Sequence, residues 1–262
     1  MKNVALHDLT PSYNPRVEPR FFADDLDAPG RHATLSREES HHLLHVMRLR
    51  VGAEVRVFDG RGGEWHARVA AADRDRVRLE MGEPVAPAPE WSTSLVLAQA
   101  VLKGDRMEAV VRDATMMGVA VVQPITTTHT TVPARAIGAP AIARWRRVAI
   151  ASAKQCGRAV VPEVRPAAGL GVVAREVAAG VRLLLTEPRA EAEASTRIDA
   201  WRDAARAGGA VVAVGPEGGW SRDEIAEATA AGFVCWSLGA TTLRADAAAL
   251  AALAVVRYAW EG

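Results

Sequence analysis

The sequence predicts an α/β protein in two parts: a small β-rich N-terminal unit, then a larger unit built on a parallel sheet with helices on both faces. Three observations carry this. Residues 54–80 alternate apolar and polar side chains with the period of half-buried strands. The stretch Gly82-Glu-Pro-Val-Ala-Pro-Ala-Pro-Glu90 keeps neither a strand nor a helix period, as expected of a proline-rich linker. Beyond it, short continuous apolar runs recur between amphipathic segments, the pattern of strands buried on both faces. The boundary is placed at residue 85, giving units over 1–85 and 86–262. With 49% hydrophobic residues, 262 positions suffice for a core in each.

In the first unit a helix is expected from Ser36 to about Arg48. It opens with the capping box Ser36-x-x-Glu39 and carries Leu43, Leu44 and Met47 as its apolar residues. Strands Glu54-Val-Arg-Val-Phe58 and Glu64-Trp-His-Ala-Arg-Val69 flank the turn Asp59-Gly-Arg-Gly-Gly63, and Arg76-Val-Arg-Leu-Glu80 alternates again, making a small barrel or sheet.

The second unit opens with the apolar strand Leu95-Val-Leu-Ala98. A helix follows over about 105–117, stopped by Gly118, then a strand at Val119–Val122. Further elements are a helix over 141–156, an extended run from Val160 to Val164, a short helix near 171–179 and the strand Val181–Leu185. The strand Ala210–Val214, a helix from Ser221 to Ala231, the strand Phe233–Ser237 and a helix from Ala245 to Trp260 complete the chain. In such sheets ligands bind beyond the carboxyl ends of the strands.

Several function classes are excluded early. No apolar stretch is long enough to span a bilayer and the N-terminus lacks the apolar core of a secretory signal, so a soluble, cytoplasmic protein with no membrane partner is expected. Cys156 and Cys235 are far apart, which supports neither a disulfide framework nor a zinc site. His41 and His45 have helical i,i+4 spacing, but no Glu of an HExxH motif lies between them and no third ligand is evident; no metal is expected. Net charge is +1, yet Arg135 to Arg165 carries seven basic residues against the single acid Glu163. That stripe suits phosphate contacts; the alternative is a solvated helix face in a chain where only three of 32 basic residues are lysine.

The chemistry concentrates in three loops that leave the last strands: Thr186-Glu-Pro-Arg189, Gly215-Pro-Glu-Gly-Gly-Trp220 and Leu238-Gly-Ala-Thr-Thr-Leu-Arg244. Gly215, Gly218 and Gly219 would let a ligand approach the backbone, Pro216 stiffens the turn, and Ser221 with Glu224 forms a second capping box. This is neither a GxGxxG dinucleotide turn nor a phosphate-binding P-loop. A lookalike, Gly169-Leu-Gly-Val-Val-Ala174, would be needed for a nucleotide-dependent oxidoreductase, but it does not follow a clean strand.

The pairing of GPEGGWSRDE with LGATTLR resembles the 16S rRNA uracil-N3 methyltransferases of the SPOUT superfamily. The resemblance extends to Arg20-Phe-Phe22, His41-x-x-x-His45-Val-Met-Arg48 with Gly52, Lys103-Gly-Asp-Arg-Met-Glu108, Gln123-Pro124, Arg144-Trp145, and Lys154-Gln155 with Arg158. Where the family reads LRTETA this chain has Leu243-Arg-Ala-Asp-Ala-Ala248, and His129 stands where an arginine is usual.

The resemblance implies an N-terminal PUA-like β-barrel and a SPOUT-type parallel sheet with a C-terminal trefoil knot. It also implies S-adenosylmethionine held by Leu185, Thr186, Glu187, Gly215, Pro216, Glu217, Gly218, Leu238, Gly239 and Leu243. Arg244 would offset the charge developing on a uracil deprotonated at N3, with Asp246 beside it; Asp246, Glu217 and His129 remain open as proton acceptor. For Arg244 the bland alternative is a surface ion pair with Asp246. Arg20, Phe21, His45 and Arg48, with Arg144, Arg147, Lys154 and Arg158, are the expected contacts to 16S rRNA of the small subunit. A homodimer is implied as well. The competing reading is a non-catalytic RNA-binding or ribosome-assembly protein that keeps the fold.

Overall fold

The computed structural model describes residues 18–24, 26, 32–73, 75–177, 179–188 and 201–261. Two compact units result, one of residues up to Phe58 together with Glu64–Val85, the other of Asp59–Gly63 and everything from Ala86.

The first unit is one five-stranded sheet in the order β1 (Arg20–Phe22), β3 (Glu54–Phe58), β4 (Glu64–Asp73), β5 (Arg76–Pro84), β2 (His32–Thr34). β1 pairs parallel to β3 and the other neighbours run antiparallel. The alternation read in the sequence is realised directly: Val77, Leu79 and Met81 of β5 face a core containing Phe21, Leu43, Val55 and Val57, while Arg76, Arg78 and Glu80 face solvent.

The expected helix from Ser36 is shorter and less regular. Helix α1 covers Arg37–His41, with Ser36 Oγ accepting from the Glu39 N–H at 3.2 Å, and continues as a π-helical turn over His42–Val46. Glu39's carboxylate accepts from the Phe22 N–H at 3.2 Å, joining the helix to β1. A regular helix would have placed Leu43 and Met47 on one face. The wider turn, in which the Met47 N–H donates to the His42 carbonyl, buries Leu43 completely and leaves Met47 43% exposed.

The second unit is a wholly parallel sheet in the order β12 (Val234–Trp236), β10 (Val181–Leu185), β11 (Ala210–Val214), β6 (Leu95–Ala100), β7 (Val121–Thr126), β8 (Glu163–Val164), with β9 (Ala168–Gly169) also on β7. Every residue of β6 and β11 is buried, because both faces are covered. Leu95, Leu97, Val212 and Leu183 pack under α2 (Arg106–Met116), α3 (Ala139–Cys156) and α7 (Ala245–Glu261). Val96, Ala98, Val211 and Leu184 face α4 (Leu170–Glu176) and α6 (Arg222–Ala230). Each fully buried leucine or valine contributes about 1.5–3 kcal/mol.

Further details differ from the sequence expectation: the strand read at 119–122 lies at Val121–Thr126, and β5 runs on to Pro84, into the stretch read as linker. A helix α5 (Arg202–Gly208) precedes β11; among its residues Ala205 is the buried one, too weak an apolar signal to read. The extended run at 160–164 forms only the two-residue β8, while Val160 bridges Gly60 and Arg61. Gly169-Leu-Gly does sit between a two-residue strand and a helix, but the space beside Gly171 is taken by the Glu227 carboxylate. No helix among the described residues is long and apolar enough to cross a membrane.

Candidate active site

Strands β12, β10 and β11 are neighbours in the sheet, so the loops at their carboxyl ends converge. They enclose a pocket of about 500 Å³. Its wall includes Leu185, Thr186 and Glu187 after β10, Gly215 to Trp220 after β11, and Leu238, Leu243 and Arg244 after β12. Of the residues expected in this site, Gly239 from the donor-binding set, and Asp246 and His129 from the candidate proton acceptors, are outside the wall. Arg189 of the first loop is outside the described residues.

The loop after β11 is held by its own side chains. Trp220, buried, donates its indole Nε1–H to the Leu185 carbonyl at 2.8 Å, and the Gly219 N–H closes a turn onto the Pro216 carbonyl at 3.0 Å. The sequence suggests that the glycines admit a ligand; the structure gives two of them another reason. A Cβ on Gly215 would lie 3.1 Å from the Trp220 ring, and one on Gly218 would lie 2.9 Å from the His129 Cβ. Gly219 has φ +68°, a conformation that favours glycine. Leu185 and Thr186 are engaged likewise, the latter through its N–H to the Trp236 carbonyl at 2.8 Å.

Capping of α6 fixes the far side of the loop. Ser221 and Glu224 form the full capping box expected from sequence. Glu224 also accepts from the Thr128 N–H at 2.7 Å, and His129 Nδ1 lies 3.1 Å from the Gly219 carbonyl. Burial pushes the Glu224 carboxyl upward, but the hydrogen bonds from Ser221 and Thr128 outweigh it, and the net effect holds the group below the ordinary carboxylate range.

Arg244 immediately precedes α7, its carbonyl accepting the Ala248 N–H at 2.8 Å, and its side chain is 69% exposed. Asp246 approaches it at 3.4 Å, a loose and solvated pair worth at most about 1 kcal/mol. A second cation was not assigned from sequence: Arg106, at the start of α2, lines the pocket and donates to Glu217 at 2.6 Å. Its signal was the Lys103-Gly-Asp-Arg-Met-Glu108 motif, whose charge alone did not separate a site residue from a solvated helix start.

The pocket wall suits a ligand with both an apolar face and hydrogen-bonding edges. Leu243 is 40% exposed in that wall, beside Leu238 and the main chain of 215–219.

The residues proposed to touch RNA divide. Three need correction. Phe21 is fully buried in the core of the first unit and presents no surface. Arg20 pairs in bidentate fashion with the buried Glu64, at 2.9 and 3.0 Å, and lies over the Phe58 ring. Arg158, 7% exposed, grips Glu90 with Nε and Nη2 and donates from Nη1 to the Thr115 and Val119 carbonyls. These two arginines bind protein groups from within. By contrast His45, Arg48 and Arg147 are exposed, Arg144 is exposed while paired with Glu108 at 2.9 Å, and Lys154 is half-buried.

Comparisons with known proteins agree with this geometry. A family model described as an RNA methyltransferase domain matches residues 89–257, and one described as an RNA methyltransferase PUA domain matches residues 35–81. The ribosomal RNA small subunit methyltransferase E of a Synechocystis species is 33% identical over 85% of this chain and 72% of its own length. Its namesake from Mycobacterium bovis is 32% identical over 90% of both chains. The crystal structure of ribosomal RNA small subunit methyltransferase E from Neisseria gonorrhoeae bound to S-adenosyl methionine superposes with a TM-score of 0.81 at 30% identity, covering 93% of this chain and 98% of that one. With the model spanning most of the chain and the loops of β10, β11 and β12 closing one pocket, this protein belongs to the RNA methyltransferase family.

Proposed function

We propose that the protein transfers a methyl group from S-adenosylmethionine to N3 of a uridine in 16S rRNA of the small ribosomal subunit. The observation that carries the reading is the pocket formed by the three loops in a chain of this family. The loop residues named from sequence, from Leu185 to Leu243, would hold the donor, with Leu238 and Leu243 as apolar walls and main-chain groups reading its polar edges. The donor supplies a methyl group on a sulfonium, and transfer is an in-line displacement. The loops therefore act chiefly by positioning.

Arg244 sits at the N-terminal end of α7, where its charge and the helix N–H groups together favour the negative charge that grows on the uracil. The proton at N3 needs an acceptor. Glu217 is paired with Arg106 and Asp246 with Arg244, whereas His129 meets a carbonyl through Nδ1. A carbonyl only accepts, so Nδ1 is the donor in this contact, and in the neutral ring the basic nitrogen is then Nε2; on that ground His129 is taken as the base.

The same reading assigns the units as a PUA-like RNA-binding domain over 1–85 and a SPOUT methyltransferase domain over 86–262. It takes the C-terminal part as a trefoil knot. Supporting that threading, β12 lies beside β10 although β11 precedes it in the chain. A homodimer fits the apolar stripe Ala247, Leu250, Ala254 and Tyr258 on α7, all exposed, with Tyr258 at 77%. A cytoplasmic location goes with this reading.

The test is calorimetric titration with S-adenosylmethionine, repeated on Gly218→Trp, followed by methyl transfer to undermethylated small subunits and location of the product by nuclease digestion and mass spectrometry. Expected are binding that the variant loses and a methyl group on a uridine N3. No binding at millimolar donor would sink the enzyme reading and leave an RNA-binding scaffold.

A further inference from the structure

In the first unit, the connection between α1 and β3 departs from regular structure in several ways at once. The π-helical turn at His42–Val46 is capped by Met47, and the next residue, Arg48, holds φ +56°, the one non-glycine residue with positive φ among those described. For a long side chain this is a strained conformation, and strain of this kind gathers at functional positions. Next to it the chain exposes apolar side chains that the core could have used: Val46 is 61%, Met47 43% and Val51 59% exposed. Among the described residues of the first unit these are the exposed large hydrophobics. The His41 and His45 rings lie 4.8 Å apart. From His41 to Gly52 the sequence has three histidines, Arg48 and Arg50, and no acid.

Exposed apolar side chains set among cations and imidazoles match one kind of surface well. A nucleotide out of its stack offers an apolar base face and, on either side of it, phosphates. With no acid between His41 and Gly52, the charge of the turn complements phosphates. We infer that this turn seats an unstacked nucleotide of the RNA substrate, with Val46, Met47 and Val51 against the base, His45 on its edge or face, and Arg48 and Arg50 on the flanking phosphates. The inference rests on the proposed action on rRNA and adds where a nucleotide other than the modified one is held.

The test measures equilibrium binding of the full chain to deproteinised 16S rRNA and to intact small subunits, each across a salt series. For Val46→Ser/Met47→Ser/Val51→Ser, binding to the naked RNA should weaken about tenfold at every salt, because lost base contacts carry no counterions. For Arg48→Ala/Arg50→Ala, the slope of log affinity against log salt should fall by about 1.4 for a single strand. Arg48→Gly, which relieves the strain, should melt higher yet bind RNA more weakly. Donor titration on each variant shows that the second unit is intact. If the serine variant binds naked rRNA as the wild type does, the inference is overturned; a loss seen only with intact subunits would then identify a ribosomal protein as the occupant. A wild type that binds neither RNA would instead refute the rRNA reading itself.

Discussion

The indole of Trp220 and the carbonyl of Leu185 are joined by a 2.8 Å hydrogen bond that ties the loop after β11 to the end of β10, two of the three walls of the pocket. Trp220→Phe keeps most of the buried ring but leaves the Leu185 carbonyl without this donor. The expected cost is about 1–3 kcal/mol in unfolding free energy. Chemical denaturation would measure it, and donor affinity should fall in parallel. Unchanged affinity would mean that the loop keeps its shape without the tie.

Gly218 and His129 should be coupled through space. A Cβ at Gly218 would meet the His129 Cβ at 2.9 Å, so Gly218→Ala should weaken donor binding by displacing the loop. Adding His129→Gly, which removes that Cβ, should return part of that affinity. A double-mutant cycle by calorimetry gives the coupling, expected at about 0.5–3 kcal/mol. Simple additivity would show that the glycine serves the ligand alone.

Arg244→Ala should lower kcat by about 10²–10³ while donor affinity stays within a few fold, since the guanidinium is placed to act on charge that appears only during transfer. Methyl transfer under saturating donor, with calorimetry beside it, separates the two. A loss confined to donor binding would reassign Arg244 to the cofactor.

His129→Gly should likewise lose turnover if the imidazole takes the N3 proton, and added imidazole should restore part of it. Absence of rescue, with donor binding retained, would return the role of base to Asp246 or Glu217.

The Glu224 carboxyl is held below its ordinary range, so the unfolded chain binds its proton more readily than the folded one does. Its stabilising contribution is therefore present above the unfolded carboxylate pKa and is lost as pH falls through the folded value. Glu224→Gln should melt below the wild type near neutrality, and the two melting curves should converge in acid. A gap that persists at low pH would place its origin in packing rather than ionisation.

Arg158→Ala should damage stability rather than RNA affinity. It strips Glu90 of a bidentate partner, removes the Arg158 donor from the Val119 carbonyl and leaves the Thr115 carbonyl only its backbone donors, at a cost of about 3 kcal/mol. Filter binding at a temperature where the variant remains folded would check the second half; a selective loss of RNA affinity would restore Arg158 to the interface.

Much of this was legible in sequence because it depends on local rules. The burial of β6 and β11 follows from continuous apolar runs, the α6 cap from Ser221 and Glu224 three residues apart, and the loop positions from the rule that α/β ligands sit at strand carboxyl ends. The motifs of the last two loops were enough to suggest a methyl donor. What sequence could not supply was the destination of side chains whose chemistry fits two places. An arginine reads alike whether it faces phosphate or, as with Arg158 and Arg20, a buried carboxylate, because the deciding partners Glu90 and Glu64 are 68 and 44 residues away. Phe21 and Met47 were exchanged for the same reason: apolar identity predicts burial only on average, and the wide turn after His42 inverted it locally. The sequence by itself determined most of the elements, their order and the loops that carry the site, since these are set by periodicity and backbone chemistry within a few residues. Only the tertiary structure decided which loops meet, which cations remain available and why Gly218 must be glycine, since each depends on contacts between segments distant along the chain.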